Sequence, residues 1–124
     1  MSFARDMERI CKKHQLNMEQ FVRAVKIELF TGVIRDTRVD EGRLRGDWQT
    51  STGAPKTDAI DRMDKTKQGQ DGGAAQADVI NTVTADGVDY LTNNMPYAPV
   101  WEREDGMIVK NVARLRQIMK KAAK

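Results

Sequence analysis

Cysteine, histidine, proline and aromatic residues are all scarce in this sequence, and each scarcity narrows what the chain can do. A single cysteine, Cys11, excludes an intramolecular disulfide and any zinc site built from several thiolates, and it fits a reducing compartment. The one histidine, His14, has no second His or Cys at metal-ligand spacing. Seven aromatic residues in 124 leave the core to be built from Met, Val, Ile and Leu. Long apolar runs are missing too. No stretch approaches the roughly 20 apolar residues of a membrane span, and the opening MSFARDMERICKK mixes charges of both signs, so neither a membrane partner nor an export signal is expected. Neither GxxxxGK[ST] nor GxGxxG occurs, which removes the commonest phosphate-cradling loops.

What is present suits one folded domain spanning 1–124. Apolar residues Phe3, Met7, Ile10 and Cys11 recur at helical steps and predict a first helix over about 2–14. Asn17 is placed to cap a second, longer helix to about residue 35, with Met18, Phe21, Val22, Val25, Leu29 and Val33 as its stripe. Gly42 and Gly46 then break the helical period, and the alternation through Trp48, Thr50 and Thr52 predicts a short strand. Residues 53–73 hold only Ile60 and Met63 as large apolar groups, so a long mobile loop is expected there. Ala75, Val79, Ile80 and Val83 predict a third helix. Asp86-Gly87 predicts a turn into a second strand at 88–92, antiparallel to the first. Ile108, Val112, Leu115, Met119 and Ala122 form the stripe of a last helix over about 106–123. The expected fold class is α+β: a small antiparallel sheet packed against the second helix and the C-terminal helix, with the long loop projecting.

Groups capable of chemistry are few, and each has a plainer reading. His14 falls at the end of the first helix, where positive charge suits the dipole. Cys11 lies on that helix's apolar face, where a thiol packs as a small apolar group. Asp58, Asp61 and Asp64 do not match an EF-hand loop and are interleaved with lysines, so a solvated polar loop is preferred to a cation site. The one electrostatic asymmetry is the last helix, where Lys110, Arg114, Arg116, Lys120, Lys121 and Lys124 follow Asp105 with no acid among them. These residues complement a helix dipole; the sharper alternative is contact with DNA or an acidic partner.

Two stretches carry a resemblance. TNNMPYAPVWE at 92–102 and DEGRLRGDW at 40–48, followed by GMIV at 106–109, resemble in order and context the motifs of the tail-completion family of long-tailed bacteriophages, the neck and minor-tail proteins of the lambda protein Z group. The resemblance spans roughly residues 25–119. Glu41 and Asp47 stand where that family usually has small hydroxyl residues, and Arg103 where a glycine commonly follows the glutamate. On residues alone, Pro96 ends the strand and opens a short helix, with Tyr97, Val100 and Trp101 expected to face inward. Leu44 and Trp48 are expected to fill the core beside them.

The resemblance implies a virion protein without catalytic activity or cofactor, assembled in the host cytoplasm. It would form a homo-oligomeric ring, a hexamer, at the head–tail junction, through which DNA passes. The ring would meet the connector or head-closure protein on one side and the tail terminator or tail tube protein on the other. The expected partner-contacting residues are Lys56, Asp58, Asp61, Arg62, Lys65 and Lys67 of the loop, ordering as they bind, together with Glu102, Arg114 and Lys120. The alternative is a small basic DNA-binding or packaging accessory protein.

Overall fold

A computed structural model describes residues 2–124 and has the expected α+β character. In chain order the elements are α1 (Phe3–His14), α2 (Met18–Arg35), α3 (Arg43–Gly46), β1 (Gln49–Thr52), α4 (Ala74–Thr82), β2 (Asp89–Thr92), α5 (Ala98–Asp105) and α6 (Met107–Ala123). Local chemistry sets several of these boundaries. Ser2 accepts the Arg5 N–H to start α1, and Asn17 Oδ1 accepts the Gln20 N–H at 3.0 Å to start α2. Between them Gln15 takes a left-handed conformation and closes α1. The strands pair antiparallel, with Gln49 opposite Thr92 and Thr52 opposite Asp89.

Val33 and Ile34 of α2, Trp48, Ala75, Val79 and Val83 around α4, and Met107 form the core, with Ile27, Phe30, Leu91 and Trp101 packed against it. The buried Trp48 indole donates to Thr37 Oγ1 at 2.8 Å, and that hydroxyl donates on to the Val33 carbonyl. α1 packs on α6 and α2, burying Ile10, Cys11 and Met119.

Three expected faces are corrected. α2 is touched by α1, α4 and α6, so its apolar residues serve several neighbours; Met18 is exposed, and besides the expected Val33 the core takes Ile34, with Ile27 and Phe30 packed against it. On α4, Ile80 faces outward while Ala75, Gln76 and Val79 are buried. On α6 the expected Met119 is buried and Val112, Leu115 and Ala122 are half-buried, but at the start of the helix Met107 and Asn111 face in and Ile108 faces out.

Asp89 ties the sheet to α2. Burial alone would raise its pKa, but hydrogen bonds from Thr52 Oγ1, Lys26 Nζ and the Thr84 N–H and Oγ1 prevail and hold it at about 2, below the ordinary 3.8. Because the folded-state value is the lower one, the stability Asp89 contributes is complete above the unfolded value. It is lost as pH falls through 3.8 toward about 2. Asp89→Asn should therefore flatten the acid limb of stability, measured by urea unfolding across that window.

Candidate functional site

The two resembling stretches meet in space, and the long loop binds them together. Gly42, at φ 93°, starts α3, and its carbonyl accepts both the Gly46 N–H and the Asp64 N–H, the latter at 2.8 Å. Gly46 lies directly under the Arg62 carbonyl, where a β-carbon would collide. Asn93 Nδ2 donates to the Leu44 carbonyl at 2.7 Å, joining the end of β2 to α3. Asp47, fully buried, accepts the Asn94 N–H at 2.6 Å with one oxygen and the Ile60 N–H at 2.7 Å with the other. Asn94 Nδ2 and Gln49 Nε2 both reach the Asp58 carbonyl.

Residues 53–73 contain no regular helix or strand, as expected, but they neither project nor stay solvated along their length. They form a strap across α3 and β1. Arg62 turns inward, donating to the Gly46 carbonyl at 2.8 Å, the Trp48 carbonyl at 3.1 Å and Asp78 at 2.6 Å. The fully buried Arg45 donates to the Gln70 and Gly72 carbonyls at 3.0 and 2.9 Å. Its Nε faces Asp64 Oδ2 at 3.5 Å, a close charge pair without hydrogen-bond alignment. Asp64 is only 5% exposed, so the Asp58, Asp61, Asp64 series is not one solvated run. The far end of the strap is held by Gly69 N–H to the Arg35 carbonyl and by Arg35 with Asp71, both at 2.7 Å.

Beside this knot lies an open groove of about 550 Å³, walled by residues 38–44 except Val39 and faced by Tyr97 and Trp101. Arg38 sits 3.6 Å over the Trp101 ring and grips Asp105 through two hydrogen bonds of 2.7 and 2.8 Å. That contact holds the Asp105 carboxyl below its ordinary range and raises the Arg38 guanidinium. Tyr97 is 37% exposed and Val100 41%, so of the three α5-region residues expected inward only Trp101 packs on the core. The helix begins at Ala98, later than Pro96 suggested, with Pro99 in its first turn. Charges of both signs beside an aromatic wall suit a polypeptide segment better than a small reactive substrate.

The nine residues expected at partner contacts do not form one patch. Lys56 and Asp58 offer exposed side chains while their carbonyls hold Asn94. Asp61 pairs with Arg43, and Lys65 and Lys67 are exposed. Arg62 belongs to the interior network. Glu102 is also committed within the fold: its carboxylate accepts the Ile108 N–H at 2.9 Å and the Val109 N–H at 3.3 Å, capping α6 after the left-handed Gly106. Glu102→Ala should cost about 1 kcal/mol by removing that cap, checked by thermal unfolding. Arg114 bonds to Asn111 and lies 4.0 Å from Asp36. Lys120 lines a cleft with Ser2, Phe3, Asp6 and Arg116, above the buried Asp6 carboxylate.

Arg45, Asp47 and Asn94, which carry the knot with Asp64, have no local signal as site residues beyond their place near Trp48 and Pro96, and Asp64 stood out only as part of the Asp58, Asp61, Asp64 series. Among the described residues no three His, Cys, Asp or Glu side chains gather to hold a metal ion. Nor is any helix long and apolar enough to cross a membrane. Comparison of the chain with known protein families, with curated proteins and with solved structures finds no match.

Proposed function

We propose that this chain is a structural protein of a long-tailed bacteriophage, acting at the head–tail junction as a tail-completion component and not as an enzyme. One observation carries the reading. The stretches that resemble the tail-completion motifs are neighbours in space, meeting at Asp47 and Asn94, 47 residues apart in the chain. Asn93 bonds to Leu44, Asn94 bonds to Asp47, and Tyr97 and Trp101 face Gly42 and Leu44 across the groove. Motifs maintained for assembly would be expected to build one rigid surface in this way.

In this reading the protein works by shape. Polar ties keep the strap from fraying, the groove takes a segment of a neighbouring subunit or of the connector, and the ring so formed leaves a passage for DNA. Partners on its two sides are the connector or head-closure protein and the tail terminator or tail tube protein. The strap enters assembly already folded, in place of the disorder-to-order change expected from its composition. Inactivating the gene in a phage that carries it should yield filled heads and finished tails that remain apart under the electron microscope. A normal yield of joined, infectious particles would overturn the proposal.

A further inference from the structure

The cleft where α1 meets α6 combines a buried acid with uncommitted cations. It measures about 320 Å³, is lined by Ser2, Phe3, Asp6, Arg116 and Lys120, and shares no residue with the groove at Trp101. Asp6 belongs to its lining although only 3% exposed, and Asp6 Oδ1 accepts no hydrogen bond from any described residue. A buried carboxylate oxygen without a donor is costly, so this one marks a place for a donor that arrives with a ligand. Arg116 and Lys120 stand one turn apart on α6, both exposed, and neither forms a salt bridge with a described acid. The remaining wall is the start of α1. Ser2 Oγ accepts the Arg5 N–H and the Ser2 carbonyl accepts the Asp6 N–H. That leaves the Phe3 and Ala4 N–H groups without an acceptor inside the helix, and the Ser2 hydroxyl with its own proton to donate. The surroundings favour anions as well: α1 and residues 107–124 hold ten of the 21 basic residues and two of the 18 acids, a formal +8.

Two cations and a helix N-terminus call for an anion, whereas the carboxylate set among them calls for a donor, so a ligand must bring both. We propose that the cleft binds a phosphate that still carries a proton, either free phosphate or a terminal phosphate monoester. Its bare oxygens are held by Arg116, Lys120 and the start of α1, and its P–OH donates to Asp6. A phosphate monoester loses its second proton only at about pH 6, so the protonated form is within easy reach near neutrality. A phosphodiester and sulfate have no such proton, and Asp6 repels both. A metal ion, which a carboxylate alone would attract, finds no further oxygen ligands of the usual kind and is opposed by Arg116 and Lys120. Asp6 is thus the selecting group and the cations supply the affinity. The inference stands apart from the head–tail reading and uses none of the residues that carry it.

The test is an NMR titration of the full-length chain with inorganic phosphate, with sulfate at equal ionic strength, and with a short DNA duplex bearing either a 5′-phosphate or a 5′-hydroxyl. Phosphate should move the amide signals of residues 2–6 and the Arg116 side chain, and should bind at least about tenfold more tightly than sulfate. R116Q/K120Q, which changes only exposed groups, should weaken phosphate binding by about tenfold or more while the remaining amide signals stay in place. Asp6→Asn keeps the shape of the side chain and should erase the preference, because a carboxamide can donate to a fully ionised anion and sulfate then binds as well as phosphate. If the 5′-phosphate duplex binds more tightly than its hydroxyl twin, and Asp6→Asn removes the difference, the bound monoester is a nucleic-acid end. If the two duplexes bind alike while free phosphate keeps its preference over sulfate, the ligand is a small phosphate. No binding of phosphate, equal binding of phosphate and sulfate by the parent, or a preference that survives in Asp6→Asn would each overturn the inference.

Discussion

Arg45→Ala is expected to lower the unfolding free energy by about 3–5 kcal/mol, a large share of the stability of a domain this size. Its guanidinium is fully buried, donates to two strap carbonyls and neutralises Asp64, whose side chain is almost completely buried. Truncation strands that carboxylate and removes the donors that hold residues 70 and 72. Lysine should rescue poorly, since one ammonium cannot span carbonyls on one side and a carboxylate on the other in the manner of a planar fork. In a double-mutant cycle Arg45→Ala and Asp64→Ala should cost together less than the sum of their separate effects, because each alone leaves an unpaired buried charge. Urea unfolding followed by circular dichroism reads all of these. Additive costs would remove the ion pair from the account.

Asp47→Ala should cost about 3 kcal/mol, from two charge-assisted hydrogen bonds to backbone N–H groups of Ile60 and Asn94 that would be left without an acceptor. The carboxylate has no exposure, so water cannot replace it without opening the strap. Asp47→Ser would put a small hydroxyl in place of the carboxylate. A single short hydroxyl cannot accept at both places, so it should recover only part of the loss. The same variants should speed proteolysis within residues 53–62, where release of Ile60 frees the strap first. Unchanged cleavage in Asp47→Ala would mean that Arg62 and Asn94 hold the segment without it.

Helical periodicity made α1, α2, α4 and α6 legible, and the Asp86-Gly87 turn and strand alternation located the two paired strands. The faces were harder, for identifiable reasons. α6 carries apolar residues at both 107 and 108, so two stripes one residue apart compete, and the left-handed turn at Gly106 with the Glu102 cap decides between them. Tyr97 and Val100 look like core residues, yet the short α5 directs only Trp101 onto the core. The strap escaped notice because composition measures apolar burial, whereas Arg45, Asp47, Arg62 and Asp64 are held by hydrogen bonds to backbone groups far away in the chain. Charged residues that look solvated in sequence are here the ones that fasten the loop. For the same reason the expected interface residues Arg62 and Glu102 proved to be internal ties, while the pairing of Arg38 with Trp101 at the groove had no local mark.

The most direct measurement of the central proposal is quantitative mass spectrometry of purified particles of a phage carrying this gene, with tails and heads separated. The protein should be present in a small fixed number of copies per particle, consistent with one ring, and should accompany the neck or the head-proximal end of the tail. Its absence from virions, or a copy number that follows the packaged DNA length, would contradict the assignment.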